Sequence, residues 1–338
     1  MVPNAEDEAK PPLRVAEIFG LTPARQRVRE MWVMLRGDSN TPKARWGVSA
    51  LEQLARVPGP RVWAGQRPAG RRVLISNLVN RTPTPPEDGW SVRATQVRDF
   101  RGGRMTYDSH NGTDFATPVG TRVVAGAPGV VRRVSSEFHR GGLKVFIDHG
   151  GGLVTGANHL SRALVRVGER VSRGQLVALS GYSGVDGVVS FPWGIPHVHF
   201  NVFLNGRHVD PFAAPGEVSL WLAGAEPAPF LGTRAEADRE PLPDSDWDED
   251  AIARGLAACL SDESRREIEA APDLDARAVT YLFHSAYFPT RFRERPSPYQ
   301  AVHPRAPRLT LPFLAEDYDG VAFEVPRERA ALSARPGA

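Results

Sequence analysis

Two short clusters of histidine and aspartate carry the residue types of a metal site. His110 and Asp114 lie within one five-residue segment, and His197 and His199 follow well downstream. Zinc in proteins is commonly bound by imidazole nitrogen and carboxylate oxygen, and a catalytic zinc keeps three protein ligands and leaves one position for water. Two histidines and one aspartate from these clusters supply that number of ligands.

The spacing within each cluster predicts how the two segments meet. In an extended strand alternate side chains lie on one face, so His197 and His199 project the same way, about 7 Å apart. In the first cluster, Gly112 and the β-branched Thr113 favour a turn that enters a strand over a helix. A His-x-His pair alone is more often ordinary surface or core histidine. The prediction that both segments converge on one ion therefore depends on the surrounding sequence.

The surrounding sequence, over about residues 105–212, resembles the core of the lysostaphin-type zinc endopeptidases, which cut peptidoglycan cross-bridges. Four blocks carry the resemblance in the family's order. They read HNGTDFATPVGTRVVAGAPGVV, FIDHGGGLVTGANHLS, VRVGERVSRGQLVALSG and PHVHFNVFLNGRHVDPF.

The resemblance implies a role for each of five residues. His110, Asp114 and His199 match the zinc ligands, and His159 and His197 match the two catalytic histidines of the family. Zinc polarises a scissile carbonyl and lowers the pKa of a bound water to about 7. Imidazole titrates nearest to neutral pH, which suits a general base and a donor to the oxyanion or leaving amine. Which histidine takes which role stays open.

The remaining candidates are read as structural. Asp210 follows the last strand of the resemblance and is expected to stabilise a turn. His149 lies in a glycine-rich turn, and His139 and His208 lie in polar segments predicted to be exposed; all three are read as non-ligands. The single cysteine, Cys259, excludes an internal disulfide framework and is predicted to be buried in apolar surroundings.

Two departures from the family's pattern concern the substrate. Ala157 stands where the family often has an aromatic residue. The loop 181–196 is longer than usual and carries Phe191 and Trp193. These aromatic residues are consistent with a substrate wall or lid, and equally with an apolar plug packed on the barrel.

The fold prediction is an all-β catalytic core of antiparallel sheets with a barrel-sandwich-like groove, flanked by mainly helical and irregular regions. A turn pattern typical of biotinyl and lipoyl carrier domains is also present, but Lys144, the one lysine after residue 43, lies in no matching motif. The predicted strands are 121–125, 130–134, 144–148, 176–180 and 197–204.

Five regions are predicted along the chain, and helices are predicted at 22–35, 49–55, 250–270 and 275–287, with disorder from about residue 327. The regions are an N-terminal helical region (1–80), a linker (81–98), the peptidase core (99–214), an acidic proline-rich linker (215–249) and a C-terminal helical and irregular region (250–338).

The distribution of charge and of apolar residues bears on the binding partners of the protein and on its cellular location. Residues 1–214 hold 28 Lys and Arg against 17 Asp and Glu, whereas the rest of the chain holds 14 against 22. A basic front half favours an anionic polymer such as the cell wall, and no motif supports nucleic acid. The sequence shows no signal-peptide pattern and no apolar run long enough to span a membrane, so the compartment stays open. A cell-wall substrate would imply an envelope or extracellular location.

Two functions follow from these observations. The first is a zinc-dependent metalloendopeptidase that hydrolyses peptide bonds, in peptidoglycan cross-bridges or stem peptides, by a metal-activated water assisted by two histidines. The alternative is a non-catalytic peptide-binding or regulatory relative that controls a partner cell-wall hydrolase. Zinc discriminates between them, because only the enzyme requires it. The oligomeric state is not predicted.

Overall fold

The computed structural model describes residues 12–51 and 58–324, and within them eleven strands and eight α-helices. The strands are β1 (Arg72–Asn77), β2 (Thr113–Ala116), β3 (Arg122–Val124), β4 (Gly129–Glu137), β5 (Gly142–Asp148), β6 (Leu153–Ala163), β7 (Arg170–Val171), β8 (Leu176–Ser180), β9 (His197–Leu204), β10 (Arg207–His208) and β11 (Gly320–Ala322). The helices are α1 (Val15–Phe19), α2 (Ala24–Arg36), α3 (Gly59–Trp63), α4 (Val185–Ser190), α5 (Arg234–Ala237), α6 (Glu249–Ala257), α7 (Asp262–Glu269) and α8 (Leu274–Tyr287).

The strands form one mixed sheet in the order β11-β1-β2-β9-β6-β5-β4-β7. β10 pairs with β9, and β3 pairs with β8, which also pairs with β6. Every named pair is antiparallel except β1 with β11. The predicted all-β core with helical and irregular flanks is confirmed. In the described part of the chain, no helix is long and apolar enough to cross a membrane.

Local sequence predicted many of these elements. The five predicted strands correspond to β3, β4, β5, β8 and β9, and the last two match at both ends. The helix predicted at 250–270 is split into α6 and α7, because the Ser261 side chain caps α7 by accepting the Ser264 N–H. The prediction at 49–55 coincides with a short 3₁₀ turn, Val48–Ala50, and falls partly on residues outside those described.

β9 shows how the sheet separates core from site. Val198, Phe200 and Val202 point into the main hydrophobic core, whereas His197 and His199 alternate with them and face the other side. The second face of the sheet is covered further along by the C-terminal helices, where α8 packs Phe283 against Phe146 of β5 with ring centroids 5.7 Å apart. The histidines of β9 therefore lie on the face away from the main core, at the end of the strand that the C-terminal helices do not cover.

The helical and irregular flanking regions also contribute to the sheet and its core. Within the predicted linker 215–249, Trp221 is completely buried and stacks on Phe200, with ring centroids 6.0 Å apart. The predicted N-terminal helical region supplies β1, and the C-terminal region supplies β11, which lies parallel to β1. Both contributions depend on pairing between distant segments, which local patterns do not reveal. The sheet is thus larger than the predicted core of residues 99–214.

Because the carboxyl group of Asp210 is buried, we expect the free energy of unfolding of the protein to depend on pH. Asp210 is 4% exposed, accepts the Phe212 N–H at 3.0 Å, and burial raises its pKa to about 7. The folded protein therefore holds this proton more tightly than the unfolded chain, and the associated stability is lost as pH rises from about 4 through 7. Asp210→Asn, which carries no charge, should be more stable than the wild type at pH 8 by about 1–3 kcal/mol. Urea unfolding at pH 8 and pH 4.5 tests this, and an equal difference at both values would contradict it.

Candidate metal site and groove

Cross-strand register aligns four polar side chains in one row. Asp114 of β2 lies opposite His199 of β9, and Asn158 of β6 lies opposite His199 on the other side. Asn77 of β1 lies opposite Asp114. Residues directly opposite in antiparallel strands place their side chains on the same face. The row therefore crosses four adjacent strands on the side away from the main core.

His110, from the turn before β2, completes a compact cluster with this row. Its Nε2 atom lies 3.0 Å from Asp114 Oδ2 and 3.2 Å from His199 Nδ1. His199 Nδ1 lies 2.7 Å from Asp114 Oδ1. All three side chains are buried, and one potential ligand atom from each lies within 4.8 Å of the other two. The structure brings together the three residues that the resemblance implied as ligands.

Hydrogen bonds behind the cluster set the direction of each imidazole lone pair. His110 Nδ1 lies 2.6 Å from the Leu78 carbonyl, which can only accept, so Nδ1 is the donor and Nε2 keeps its lone pair. His199 Nε2 lies 3.1 Å from the side-chain oxygen of Asn111 and 3.1 Å from Asn201 Nδ2; in the tautomer in which Nε2 donates to Asn111, the Nδ1 lone pair is directed at Asp114. Two nitrogens and one carboxylate, close enough to share an ion with bonds of about 2.0–2.2 Å, fit zinc.

A β-bulge places His159 at this site. β6 has one more residue than β5 between the pairs Leu143–Leu160 and Val145–Ala157, and His159 adopts a positive φ of 58°. Its backbone N–H donates to the Gly141 carbonyl at 2.8 Å. Its Nδ1 donates to the Ser183 carbonyl at 2.8 Å, so Nε2 is the available proton acceptor. The left-handed backbone, unusual for histidine, breaks the alternation of the strand at this residue.

His197 is oriented in the same way as His159. Its Nδ1 donates to the Ile195 carbonyl at 2.7 Å, and its Nε2 lies 3.5 Å from Asp114 Oδ1. The centroids of the His197 and His159 rings are 4.7 Å apart. In each histidine the backbone carbonyl therefore occupies Nδ1 and leaves Nε2 as the nitrogen nearer the three-residue cluster.

Burial and mutual interaction set the charges of these groups. Burial by itself would raise the pKa of Asp114, but His110, His197 and His199 hold it well below its usual value. Burial and the neighbouring histidines hold the pKa of His159 well below its usual value. Burial also lowers the pKa of His199, against the opposing effect of Asp114. At neutral pH the cluster thus combines an ionised carboxylate with His159 and His199 as neutral imidazoles.

Tyr182, in the long loop, is an aromatic neighbour that the sequence did not identify. Its ring centroid lies 5.1 Å from that of His197 and 5.6 Å from that of His159. An aromatic residue thus lies beside both histidines although Ala157 is small. Phe191, from the same loop, instead packs on Trp63 of α3 with centroids 5.1 Å apart, and Trp193 is 65% exposed.

The cluster opens into a groove of about 410 Å³ whose walls come from distant parts of the chain. Its lining includes the proline-rich segment 80–86, predicted as part of a linker, and the segment 286–290 at the end of α8. His139 and His208 also line the groove, so the prediction that they are exposed is wrong: His139 is 7% exposed, and burial lowers the pKa of His208 to about 3. The flanking regions therefore shape the site.

Residues 108–211, which contain all five candidate residues, match the sequence profile of Peptidase family M23. This segment is therefore similar to an M23 peptidase domain, and the rest of the chain lies outside the match. The peptidoglycan DD-endopeptidase ShyA of Vibrio cholerae is 38% identical over 131 residues, which are 38% of this chain and 28% of ShyA. An uncharacterized metalloprotease of Haemophilus influenzae is 36% identical over 132 residues, 38% of this chain and 26% of the relative.

A crystal structure of a zinc-containing peptidase from Vibrio cholerae is 30% identical in sequence, covers 42% of this chain and 38% of that chain, and has a TM-score of 0.31. The chain spans between a quarter and a third of the length of the curated relatives just named. The segment that matches family M23 is thus the part shared with them, and the groove-lining segments 80–86 and 286–290 lie outside it.

Proposed function

We propose that the chain is a zinc-dependent endopeptidase that hydrolyses peptide bonds in peptidoglycan cross-bridges or stem peptides. The observation that carries this proposal is the convergence of His110, Asp114 and His199 beside two further histidines with free Nε2 atoms. The M23 domain and the relatives named peptidoglycan DD-endopeptidases support the reaction and substrate class. A cell-wall substrate in turn favours an envelope location.

In this proposal His110, Asp114 and His199 hold the zinc ion. When bound there, zinc polarises the scissile carbonyl and makes water more acidic. His159 and His197 move protons: a neutral Nε2 accepts one from the attacking water, and a protonated Nε2 returns it to the leaving amine as the C–N bond breaks. The bonds from their Nδ1 atoms to the Ser183 and Ile195 carbonyls fix both rings for this transfer.

The groove supports a peptide substrate. Its volume is about 410 Å³, and His110, His159 and His199 all line it. Aromatic side chains at its edge, Trp90, Tyr107 and Tyr287, offer apolar contact, while asparagine side chains offer hydrogen bonds. A peptide held along the groove would pass the cluster with its backbone accessible to His159.

Digestion of purified peptidoglycan tests this proposal. The wild type should release soluble fragments in which mass spectrometry finds one new amine and one new carboxyl group for each cut. His199→Ala, which lacks one ligand, should release none. Peptidoglycan bound but left intact by zinc-loaded wild type would contradict the hydrolase and support the regulatory alternative.

The hydrogen bonds that Asn111 makes behind the metal cluster are expected to support zinc binding. Its side-chain oxygen accepts from His199 Nε2 at 3.1 Å and from Asn201 Nδ2 at 3.0 Å. Asn111→Ala frees the His199 ring to rotate and should weaken zinc affinity by a factor of about 10–100. Competition with a chelator measures this affinity. Asn80→Ala is the control, because Asn80 lines the groove with a side chain bonded to Asp108; equal losses in both variants would contradict the role of Asn111.

A further inference from the structure

The amine of Lys144 is buried beneath the hairpin that joins β4 to β5. Lys144, the one lysine after residue 43, is completely buried. Its Nζ donates to the carbonyls of Arg140, at 2.8 Å, and Gly142, at 2.7 Å, and it forms an ion pair with Glu137. An ammonium group has three N–H donors, so each of them has an acceptor here. All three acceptors belong to the hairpin itself.

Packing alone does not require a charge at this position. Phe283 of α8 covers the amine, with its ring centroid 5.4 Å from Nζ. Burial lowers the pKa of Lys144, and Glu137, which also accepts from Arg133 at 2.8 Å, opposes this effect. Methionine would fill a similar volume without the cost of burying an ammonium, and apolar replacements of buried ion pairs are often neutral. The two hairpin carbonyls are the groups that need the amine.

The hairpin supports both hydrogen bonds that orient His159. Gly141, at the tip of the hairpin, accepts the His159 backbone N–H at 2.8 Å. Ser183, whose carbonyl accepts from His159 Nδ1 at 2.8 Å, is bonded to the hairpin through its hydroxyl, which accepts the Leu143 N–H at 2.8 Å. A Cβ added at Gly142 would lie 2.1 Å from the Ser183 carbonyl oxygen, so the two segments are in close contact.

His159 depends on this support more than an ordinary strand residue does. It lies in the bulge of β6 with a positive φ of 58°, and among the described residues Asn205 is the only other non-glycine residue with a positive φ. Such a backbone conformation is strained and persists only where the surrounding structure holds it. Loss of support from the hairpin would therefore allow His159 to relax and would move its Nε2 relative to the metal cluster.

We propose that Lys144 is a positioning residue for His159: its ammonium group fixes the two carbonyls on either side of Gly141, and the hairpin thereby fixes the imidazole of His159 for proton transfer. This inference rests on the proposed function, because it assigns a residue to the proton transfer of that function. Since Lys144 is completely buried, it acts through His159 and not by contact with a substrate.

A double-mutant cycle between Lys144→Met and His159→Asn tests the proposal on a soluble cross-linked peptide. K144M should lower kcat by a factor of about 10–100, with KM within about twofold of wild type and zinc content unchanged. In the H159N background the same substitution should lower kcat by less than about threefold, because the imidazole that it positions is already absent. If K144M does not fold, Lys144→Met combined with Glu137→Gln, which removes both charges of the ion pair, takes its place in the cycle.

Arg173→Met is the matched control. Arg173 is also a buried cation that donates to two backbone carbonyls, those of Gly126 and Arg308, and pairs with one acid, Glu240, at 2.6 Å. It lies outside the lining of the groove. R173M should therefore be destabilised in the same way as K144M but should keep kcat within about threefold of wild type.

Amide hydrogen exchange followed by NMR gives a readout that needs no catalysis. The His159 N–H, which donates to the Gly141 carbonyl, should exchange about tenfold faster in K144M than in wild type. The Leu164 N–H, which donates to the Val177 carbonyl at 2.8 Å just after β6, should exchange at the wild-type rate.

Equal losses of kcat in the two backgrounds of the cycle would overturn the proposal. A loss in R173M as large as that in K144M, or unchanged exchange at the His159 N–H, would overturn it as well. Faster exchange at His159 in K144M, in a protein whose wild type cleaves no peptide, would instead count against the proposed function and leave the support of His159 by Lys144 standing.

Discussion

Asp114→Asn is expected to lose bound zinc and hydrolytic activity together. Asp114 is the one carboxylate of the cluster, and its oxygens lie 3.0 Å from His110 Nε2 and 2.7 Å from His199 Nδ1. Asparagine keeps the shape of the side chain but removes the negative charge that attracts the ion and holds the three surrounding histidines. With one of only three protein ligands replaced by a weak one, zinc should fall from about one per chain to near zero, and activity should fall with it.

Elemental analysis of the purified variant and peptidoglycan digestion measure the two effects. Asp210→Asn is a matched control, because it makes the same acid-to-amide change at another buried site of the domain, where the carboxyl accepts the Phe212 N–H. It should keep zinc and activity. Full zinc occupancy in D114N, with an unchanged unfolding transition, would show that Asp114 is not a ligand.

His159→Asn is expected to keep zinc but to reduce kcat by a factor of about 100–10,000, the usual contribution of a positioned acid–base group. Asparagine tolerates the positive φ of 58° at this residue better than alanine, so the bulge in β6 should persist. The variant loses only the Nε2 that the bond to Ser183 leaves free. Burial lowers the pKa of His159, so the wild-type imidazole is already neutral near pH 7.

The informative comparison is His159→Asn with His199→Asn. Both replace an imidazole in the same groove by the same amide, but only His199 belongs to the three-residue cluster. H199N should lose zinc and H159N should retain it. Loss of zinc from H159N would make His159 a ligand, and a kcat within threefold of wild type would remove it from the proton transfer.

The candidate metal cluster could be predicted because the sequence around it resembles a family. The alternation of His197 and His199, and the short segment that joins His110 to Asp114, are each also common in proteins without a metal site. The resemblance of the surrounding blocks connected the two segments. The hydrogen-bond partners could not be predicted in this way, because Asn77 reaches Asp114 only through the pairing of β1 with β2.

The residues that line the groove could not be predicted from the sequence, because pairing and packing between distant segments bring them together. The segment 80–86 has the composition of a linker, yet the fold places it in the lining of the groove together with residues from the end of α8. Tyr182 lies in a segment without a recognisable motif, and its position depends on the path of the chain between strands. The sequence therefore identified the candidate metal ligands more readily than the residues that line the groove.

We propose that His110, Asp114 and His199 bind one catalytic zinc ion. A crystal structure with diffraction data collected at the zinc absorption edge locates this ion. We expect a single anomalous peak within about 2.3 Å of His110 Nε2, His199 Nδ1 and an Asp114 oxygen, with His159 and His197 beside it but not bound. A peak at other residues, or no zinc in protein prepared with the metal, would show that these three residues do not form the site.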